Sequence, residues 1–227
     1  MEKKSTPTEY KKILVYSGIS DGYGVMNVLN TNKFTHVYLF EANPDSIKKI
    51  NPKFRHPNIH IIWAACVSKV PESGMVDFNI ASNDGGSSSI GEFNPEWCHA
   101  KSGEIKMVKK IQVPAINLYN WCLMNQIDYI DTYISDIQGA DYMVLETLKP
   151  MIEKKLIGRI QCETAKDNRL GNLYKLQSNE LKTFRSLLEP YYKISSTGWV
   201  CGILNENSLN SVPEDWDEFD CLWVPNK

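Results

Sequence analysis

Apolar residues recur along the chain with two different periods, and the two periods alternate. Short apolar runs bounded by turn-forming residues are typical of buried strands, whereas apolar positions three and four residues apart are typical of helices that pack on a sheet. The runs predict strands at 13–17, 37–40, 58–63, 76–80, 111–114, 130–136, 157–163, 191–195, 199–204 and 221–224. Helical spacing predicts helices after Gly24, after Asn43, at 118–124, after Gly139 and at 178–188.

This alternation predicts an α/β protein with a doubly wound, mostly parallel sheet and helices on both faces. A chain of 227 residues suffices for one well-buried domain. We expect a flexible tail at residues 1–10 and a single domain over 11–227. The polar, glycine- and serine-rich stretch around 83–110 is long for a loop, which predicts a lid or a loop that binds the acceptor.

Composition and charge exclude several classes of protein. The net charge is −2 and the sequence pI is about 6.1, so no basic field favours nucleic acid as the partner. No apolar run is long enough to predict a membrane span, and we expect a cytoplasmic protein whose oligomeric state stays open. The six cysteines form no Cys-x-x-Cys pair, which argues against thiolate metal sites and a disulfide framework.

A glycine-containing turn after the first strand is the strongest candidate for a ligand site. Gly18, Gly22 and Gly24 lie between the first strand and the first helix, and Glu41 ends the second strand. Such a unit binds a nucleoside cofactor, because the glycines let the ligand approach the backbone and the acid accepts hydrogen bonds from ribose hydroxyls. The glycine spacing lacks the third glycine of the dinucleotide fingerprint, with Asn27 in its place, and so favours S-adenosylmethionine over NAD.

Glu41 is one of three acids that end predicted strands, the others being Asp136 and Glu163. The carboxyl ends of parallel strands share one edge of the sheet, so the three side chains are expected to converge on one crevice. An acid at such a junction also caps the following helix, and that structural role stays open for Asp136.

Together these residues resemble the FkbM family of S-adenosylmethionine-dependent O-methyltransferases over roughly residues 13–165. The resemblance implies a class I methyltransferase (Rossmann-like) fold and methyl transfer to a hydroxyl, commonly of a sugar, a polyketide or another natural product. The motifs that carry it are Val15-Tyr16-Ser17-Gly18-Ile19-Ser20-Asp21-Gly22, Phe40-Glu41-Ala42-Asn43-Pro44, Ala65-Cys66-Val67-Ser68, Ser87-Ser88-Ser89, Ser135-Asp136-Ile137-Gln138-Gly139-Ala140-Asp141 and Ile160-Gln161-Cys162-Glu163.

The resemblance also implies roles for individual residues. Glu41 would bind the donor ribose, residues near Ala64, Ala65 and Cys66 would form the adenine slot, and Asp136 would lie beside the sulfonium. Ala42, next to Glu41, is also assigned to donor binding. The glycine turn would carry the rest of the donor. Residues assigned to it are Gly18, Ser20, Asp21 and Gly22.

For catalysis, we expect Asp136 to act as the base or to orient the acceptor, with Glu163 as the second candidate. The two carboxylates are alternatively a site for Mg²⁺ or Mn²⁺ that acidifies the acceptor hydroxyl. His99 in the long loop is a further candidate base. The mixture of hydroxyls, acids and aromatic residues at 84–89, Trp97 and 214–220 suits a sugar or glycan as acceptor.

Two positions depart from the family pattern and keep another class of function open. Tyr16 stands where the family usually has an acid, and Gln138 stands where it usually has a glutamate. Both favour, as the alternative hypothesis, a catalytically silent binding module with the same fold. An NAD-dependent oxidoreductase is a weaker alternative because of the glycine spacing.

Overall fold

The computed structural model describes residues 11–206 and 212–227, so the tail predicted at 1–10 lies outside the described residues. Strands and helices alternate as predicted. The strands are β1 Ile13–Ser17, β2 His36–Glu41, β3 Ile59–Trp63, β4 Ala65–Cys66, β5 Met75–Ala81, β6 Met107–Ile116, β7 Thr132–Ser135, β8 Ile160–Ala165, β9 Tyr192–Gly198 and β10 Glu218–Pro225. The helices are α1 Tyr23–Thr31, α2 Pro44–Ile50, α3 Cys98–Lys101, α4 Leu118–Met124, α5 Asp141–Leu145, α6 Lys149–Glu153 and α7 Leu181–Leu188, with a 3-10 turn at Glu146–Leu148.

The large sheet has seven strands in the order β3-β2-β1-β7-β8-β10-β9. The strands from β3 to β8 pair in parallel, and β10 is antiparallel to both of its neighbours. The chain leaves β1 in one direction through β2 and β3 and later returns to β7 on the other side of β1. This reversal places a crevice at the carboxyl ends of β1 and β7, where ligands bind in open α/β sheets.

Helices cover both faces of this sheet, which confirms the predicted fold class. Along β1, Val15 belongs to a core shared with α4, α5, α6 and α7, whereas Leu14 belongs to a core shared with α1 and α2. The alternation follows from the period of two along a strand. Both residues are fully buried, as expected for a parallel strand between two helical layers.

The helices are short, and two of them, α2 and α4, begin with an asparagine side chain that accepts a backbone hydrogen bond. Asn43 accepts a hydrogen bond from the Asp45 N–H at 3.0 Å, and Pro44 occupies the first position of α2, as the sequence predicts. Across the described parts of the chain, no helix is both long and apolar enough to cross a membrane.

The structure corrects four predicted elements. The predicted strand at 199–204 is wrong, because these residues form an irregular segment. Glu163 does not end its strand, since β8 continues to Ala165 through pairing with β10. The stretch predicted as a loop to residue 110 is shorter, because β6 already begins at Met107. The helix predicted to open at Gly139 begins at Asp141.

Strands β4, β6 and β5 form a second, three-stranded sheet beside the first. The β5–β6 pairing is antiparallel over seven residue pairs from Met75–Pro114 to Ala81–Met107. A separate core joins the two sheets, in which Ala42 from the end of β2 packs with Phe78 and Val113. The second sheet thereby stands over the carboxyl end of β2 and forms one side of the crevice.

Candidate functional site

A cavity lies at the carboxyl ends of β1, β2 and β7, where the strand order predicts a binding crevice. Most of its wall is backbone and small or apolar side chains, and two carboxylates, Glu41 and Asp136, open into it. The lining residues are Gly18, Ser20, Phe40, Glu41, Ala42, Ser46, Ala64, Ala65, Cys66, Phe78, Gly85, Gly86, Ser88, Ile90, Asp136, Ile137, Gln138 and Ala140.

The glycine turn forms the floor between β1 and β7. Gly18 has a φ of +78°, and a Cβ at this position would overlap the backbone oxygen of Asp136. Backbone hydrogen bonds from Gly18 N to Phe40 O and from Asp136 N to Ser17 O, both 3.0 Å, hold the three strand ends together. Only glycine fits here, since both the backbone conformation and the space exclude a side chain.

Glu41 organises the glycine turn from the end of β2. One carboxylate oxygen, Oε2, accepts hydrogen bonds from the backbone N–H groups of Ile19 at 3.2 Å and Ser20 at 2.9 Å. The other oxygen, Oε1, accepts from the Asn43 N–H at 2.7 Å. The side chain is only 6% exposed, and this burial raises the pKa of Glu41, an effect that the backbone hydrogen bonds oppose.

The second sheet and the loop after it supply the opposite wall. Phe78 and Ile90 contribute apolar surface, and Ser88 is tied to the strand by accepting a hydrogen bond from the Ala81 N–H at 3.0 Å. Part of the predicted lid, residues 85–90, therefore lines the cavity. Sequence reasoning missed Phe78 and Ile90. Each lies in a stretch with no chemical signature, and only pairing between β5 and β6 brings them over β2.

Asp136 and Glu163 come together at the β7 and β8 side of the crevice. Asp136 directly follows β7 and is exposed into the cavity, whereas Glu163 lies deeper on β8. The two carboxyl groups are close enough to influence each other's pKa. The Gln138 side-chain amide bridges them, with Nε2 donating to Asp136 Oδ1 at 2.6 Å and to Glu163 Oε2 at 3.2 Å.

Three more carboxyl groups, Asp141, Glu218 and Asp220, complete an acidic cluster with Asp136 and Glu163. Withdrawal from water raises the pKa of Glu163 well above its usual range, and the negative charges of its neighbours raise it further. The pKa of Asp136 is also raised by desolvation, although hydrogen bonds from Gln138 and Glu163 oppose the shift. Glu163 therefore keeps its proton more readily than Asp136 does.

Asp141 and Asp220, two buried members of the acidic cluster, also have raised pKa values. Burial raises the pKa of Asp141 and that of Asp220 to about 7 each. Asp141 accepts hydrogen bonds from Ser135 Oγ at 2.5 Å and from the Ile137 N–H at 3.1 Å, and so supports the turn that carries Asp136. Tyr16 packs on the same side of the sheet, and burial followed by the Asp136 charge raises the pKa of its hydroxyl.

Other predicted site residues have local roles in the structure. Asp21 accepts a hydrogen bond from the Tyr23 N–H at 2.9 Å at the exposed start of α1. Gly22 has a φ of +80° and packs against Phe54. His99 stacks edge-on against Trp97 at 5.3 Å and bonds to Glu104 at 2.6 Å on the surface. These contacts place all three apart from the cavity lining.

The donor set does not support the predicted Mg²⁺ or Mn²⁺ site. Within residues 11–206 and 212–227, no group of three or more His, Cys, Asp or Glu side chains is arranged to hold a metal ion. Asp136 and Glu163 instead share the Gln138 amide, which bonds to one oxygen of each carboxyl group.

The cavity fits S-adenosylmethionine by its chemistry. Gly18 lines the cavity and lets the ends of β1 and β7 lie close together beneath it, because Asp136 O fills the space that a side chain would need. Three backbone N–H groups occupy three of the four lone pairs of the Glu41 carboxylate, which leaves Oε1 able to accept from a ligand hydroxyl. Phe40, Ala64, Ala65 and Phe78 line the cavity with apolar surface of the kind that suits an adenine ring.

Comparison with known proteins defines the class to which this site belongs. The methyltransferase FkbM domain matches residues 18–184 of the chain, a span that contains the glycine turn, Glu41, Asp136 and Glu163. The chain therefore belongs to the FkbM methyltransferase family. It has the class I, Rossmann-like fold of S-adenosylmethionine-dependent methyltransferases, and S-adenosylmethionine is its methyl donor.

Solved structures with a similar fold are distant in sequence. An rRNA methylase from Streptococcus thermophilus is 10% identical with a TM-score of 0.49, covering 96% of this chain and 88% of that one. An S-adenosylmethionine-dependent methyltransferase from Clostridium acetobutylicum is 9% identical with a TM-score of 0.46, covering 95% and 84%. Fibrillarin from Aeropyrum pernix with bound S-adenosyl-L-methionine is 11% identical with a TM-score of 0.44, covering 98% and 70%. None of the curated proteins compared with the chain matches it.

Proposed function

We propose that this protein is an O-methyltransferase that methylates a hydroxyl of a sugar or glycan. The observation that supports this proposal best is the position of Asp136. Its carboxylate opens into the same cavity as the Glu41 carboxylate, on the opposite side of the glycine turn. The Glu41 carboxylate is thus suited to binding the nucleoside of the donor, and the Asp136 carboxylate is suited to contacting an acceptor.

The donor would be held by the residues around the glycine turn. Gly18 and Ser20 would contact it through the backbone, Glu41 would accept a hydrogen bond from a ribose hydroxyl, and Ala42 and Ala65 would border the adenine. When bound, S-adenosylmethionine supplies a methyl group that is already activated by the positive sulfonium. The protein is left with two tasks, which are to align the acceptor oxygen and to remove its proton.

Asp136 is the proposed base for that proton. A carboxylate with a raised pKa is a stronger base than an ordinary one, and its oxygen faces the cavity where an acceptor hydroxyl would lie. Glu163 retains its own proton and leaves Asp136 as the ionised partner of the pair. His99 is not proposed as the base, because it contacts Trp97 and Glu104 at the surface and does not line the cavity.

Two features support a sugar as the acceptor. The Asp136 carboxylate can accept hydrogen bonds from hydroxyl groups, and the net charge of −2 provides no basic field for the phosphates of nucleic acid. Beside the acidic cluster, Trp199 and Trp216 form an edge-to-face pair at 5.1 Å, and Trp199 is 69% exposed. The Val200 N–H donates to Asp220 at 3.1 Å, which fixes this pair next to the acidic cluster. Exposed aromatic rings beside carboxylates suit stacking on a sugar ring.

The test is methyl transfer from labelled S-adenosylmethionine to a panel of acceptors. The panel contains methyl glycosides of common hexoses and deoxyhexoses, with a primary amine, a thiol and total cellular RNA as competitors. We expect a methyl ether on a glycoside, identified by mass spectrometry and by its stability to alkali. Label found only in RNA, in the amine or in the thiol would refute the sugar hydroxyl. Binding of S-adenosylhomocysteine without turnover of any acceptor would indicate the silent binding module instead.

The role of Asp136 is tested with Asp136→Asn, a substitution that removes the base and keeps the size of the side chain. We expect kcat to fall by roughly 10²- to 10⁴-fold, the usual contribution of a positioned base. Asp45→Asn is the matched control, because Asp45 is exposed and pairs only with Lys48 on the surface of α2. A kcat for Asp136→Asn equal to that of the control would contradict the assignment.

A further inference from the structure

The side-chain amide of Gln138 makes hydrogen bonds to three groups of the site. Nε2 donates one hydrogen to Asp136 Oδ1 at 2.6 Å and the other to Glu163 Oε2 at 3.2 Å. On the other side, Oε1 accepts from the Tyr174 hydroxyl at 2.6 Å. A primary amide has two donor hydrogens, and here each of them is directed at one carboxyl group.

Only one orientation of this amide is compatible with its surroundings. A flipped amide would direct Oε1 at two carboxyl oxygens, and it would lose the charge-assisted hydrogen bond to Asp136. The Tyr174 hydroxyl is nearly fully buried, and its bond to Gln138 Oε1 at 2.6 Å is shorter than its contact with Ser87 O at 3.3 Å. The acids therefore select the end of the amide that faces them, and Tyr174 holds the opposite end in that orientation.

The backbone of Gln138 is held as firmly as its side chain. Gln138 has a φ of +55°, in the left-handed region that non-glycine residues seldom adopt. Its carbonyl accepts a hydrogen bond from Ser89 Oγ at 2.7 Å, and the next carbonyl, that of Gly139, accepts from Asn172 Nδ2 at 2.8 Å. A Cβ at Gly139 would also overlap the Tyr174 ring. Such strain persists only where neighbouring contacts over-determine it, and it frequently marks functional sites.

We propose that Gln138 is the positioning residue of this site, and that its amide, oriented by Tyr174, binds Asp136 and Glu163 as a pair and aims Asp136 at the cavity. The role of Asp136 as base rests on the proposed function, whereas the pairing itself does not depend on any reaction.

A neutral amide suits this task better than a cation. Lysine or arginine at position 138 would hold the carboxylates but would also stabilise their charge, and Asp136 would become a weaker base. The amide hydrogen bond holds Asp136 in place and leaves the charge of the acidic cluster uncompensated. Gln138 thereby fixes the geometry of the base and lowers its pKa less than a cation at this position would.

The test measures the two carboxyl groups directly, by ¹³C NMR titration of protein labelled in the aspartate and glutamate carboxyl carbons. In the wild type we expect Asp136 and Glu163 to titrate as a coupled pair. Gln138→Leu removes the hydrogen bonds that favour ionised Asp136, so the Asp136 titration should move to higher pH. Tyr174→Phe keeps the amide but frees it to rotate, and should move the Asp136 titration in the same direction by a smaller amount.

Matched controls separate positioning from general effects on the fold. Gln177→Leu makes the same substitution at an exposed position, and Tyr142→Phe removes a hydroxyl that bonds to Glu146 at 3.3 Å away from the site. Both controls should leave the carboxyl titrations unchanged. Unchanged Asp136 and Glu163 titrations in both Gln138→Leu and Tyr174→Phe would overturn the inference. Since Tyr174→Phe only removes one hydroxyl, it tests the inference even if Gln138→Leu fails to fold.

Turnover supplies the second readout and distinguishes the two proposals. With a methyl glycoside as acceptor, Gln138→Leu should lower kcat by about 10²-fold, with little change in the KM for the donor, because a misplaced base affects the reacting step. A titration shift in a protein that methylates no acceptor would support the pairing and reject the proposed function. Full kcat in a variant with a shifted titration would overturn the positioning role.

Discussion

Replacing Glu41 by glutamine tests the central contact of the donor site. The Glu41 carboxylate accepts three backbone hydrogen bonds, from Ile19 and Ser20 on one oxygen and from Asn43 on the other. A glutamine amide has only one acceptor oxygen. In its better orientation the oxygen faces Ile19 and Ser20, and the amide NH₂ then points at the Asn43 N–H. At least one buried donor is therefore left without a partner.

The structure gives the size of this effect. A buried polar group left unpaired costs about 1–3 kcal/mol, and the neutral amide recovers part of that cost because burial disfavours the Glu41 charge. We therefore expect Glu41→Gln to lower the free energy of unfolding by roughly 1–2 kcal/mol. For a domain of this size, the melting temperature should fall by about 2–8 °C.

Donor binding should respond more strongly than stability. The ribose hydroxyls would lose a charged acceptor, and a hydrogen bond to a charged group contributes about 1.5–3 kcal/mol. Each 1.4 kcal/mol corresponds to about a tenfold change in Kd, so Glu41→Gln should weaken S-adenosylhomocysteine binding at least about tenfold. Isothermal titration calorimetry measures the Kd, and scanning calorimetry measures the melting temperature.

Asp45→Asn is the matched control. Asp45 lies four residues after Glu41, and its exposed side chain loses the same charge in this variant. We expect it to change stability by less than about 0.5 kcal/mol and to leave the Kd unchanged. A Kd in Glu41→Gln equal to that of this control would refute the placement of the donor on Glu41. A melting temperature equal to the control would refute the structural role of the three hydrogen bonds.

Two further substitutions test the floor of the site and its electrostatics. Gly18→Ala should abolish donor binding and destabilise the fold, because the new Cβ would overlap Asp136 O. Its control is Gly74→Ala, where φ is similar and no atom lies within 4 Å of the new Cβ, so the free energy of unfolding should fall by only about 1 kcal/mol. Equal melting temperatures of the two variants would contradict this prediction. The Asp141 carboxyl is fully buried and has a pKa of about 7. The folded state therefore binds more protons than the unfolded state between about pH 4 and 7. As pH rises through that window, the free energy of unfolding should fall by up to about 4 kcal/mol. Asp141→Asn keeps an acceptor for Ser135 and Ile137 and should flatten this dependence in urea titrations, and an unchanged slope would show that other groups carry it.

The parts of the site that could be predicted from the sequence are those that follow from local signals. Gly18 follows β1, Glu41 ends β2 and Asp136 follows β7. Because β1 pairs in parallel with both β2 and β7, the topology alone predicts that these three residues meet at one edge of the sheet. The end of β8 could not be predicted in the same way. Glu163 lies within that strand because β10, some 55 residues later, pairs with it as far as Ala165. Pairing between distant segments leaves no mark in the local pattern.

The predicted strand at 199–204 illustrates the opposite error. Ile203 packs on the core beside α1 and Leu204 is buried, whereas Trp199 is exposed. Gln161 holds the segment by bonding to Gly202 and Leu204. The apolar pattern therefore indicates burial for only part of the segment, and burial does not require a strand. Side-chain hydrogen bonds from β8 satisfy the backbone groups that a strand would have paired.

The sequence by itself determined the alternating elements, the glycine turn and the two acids that open into the cavity, because each depends on a residue type at a fixed place relative to its own strand. Only the tertiary structure decided that the second sheet closes the cavity, and that Gln138 lies between Asp136 and Glu163 with Tyr174 behind it. Those relations join residues that are far apart in the sequence through packing, hydrogen bonds and shared burial. The energies of these contacts depend on distances in space. The order of residues along the chain does not give those distances directly.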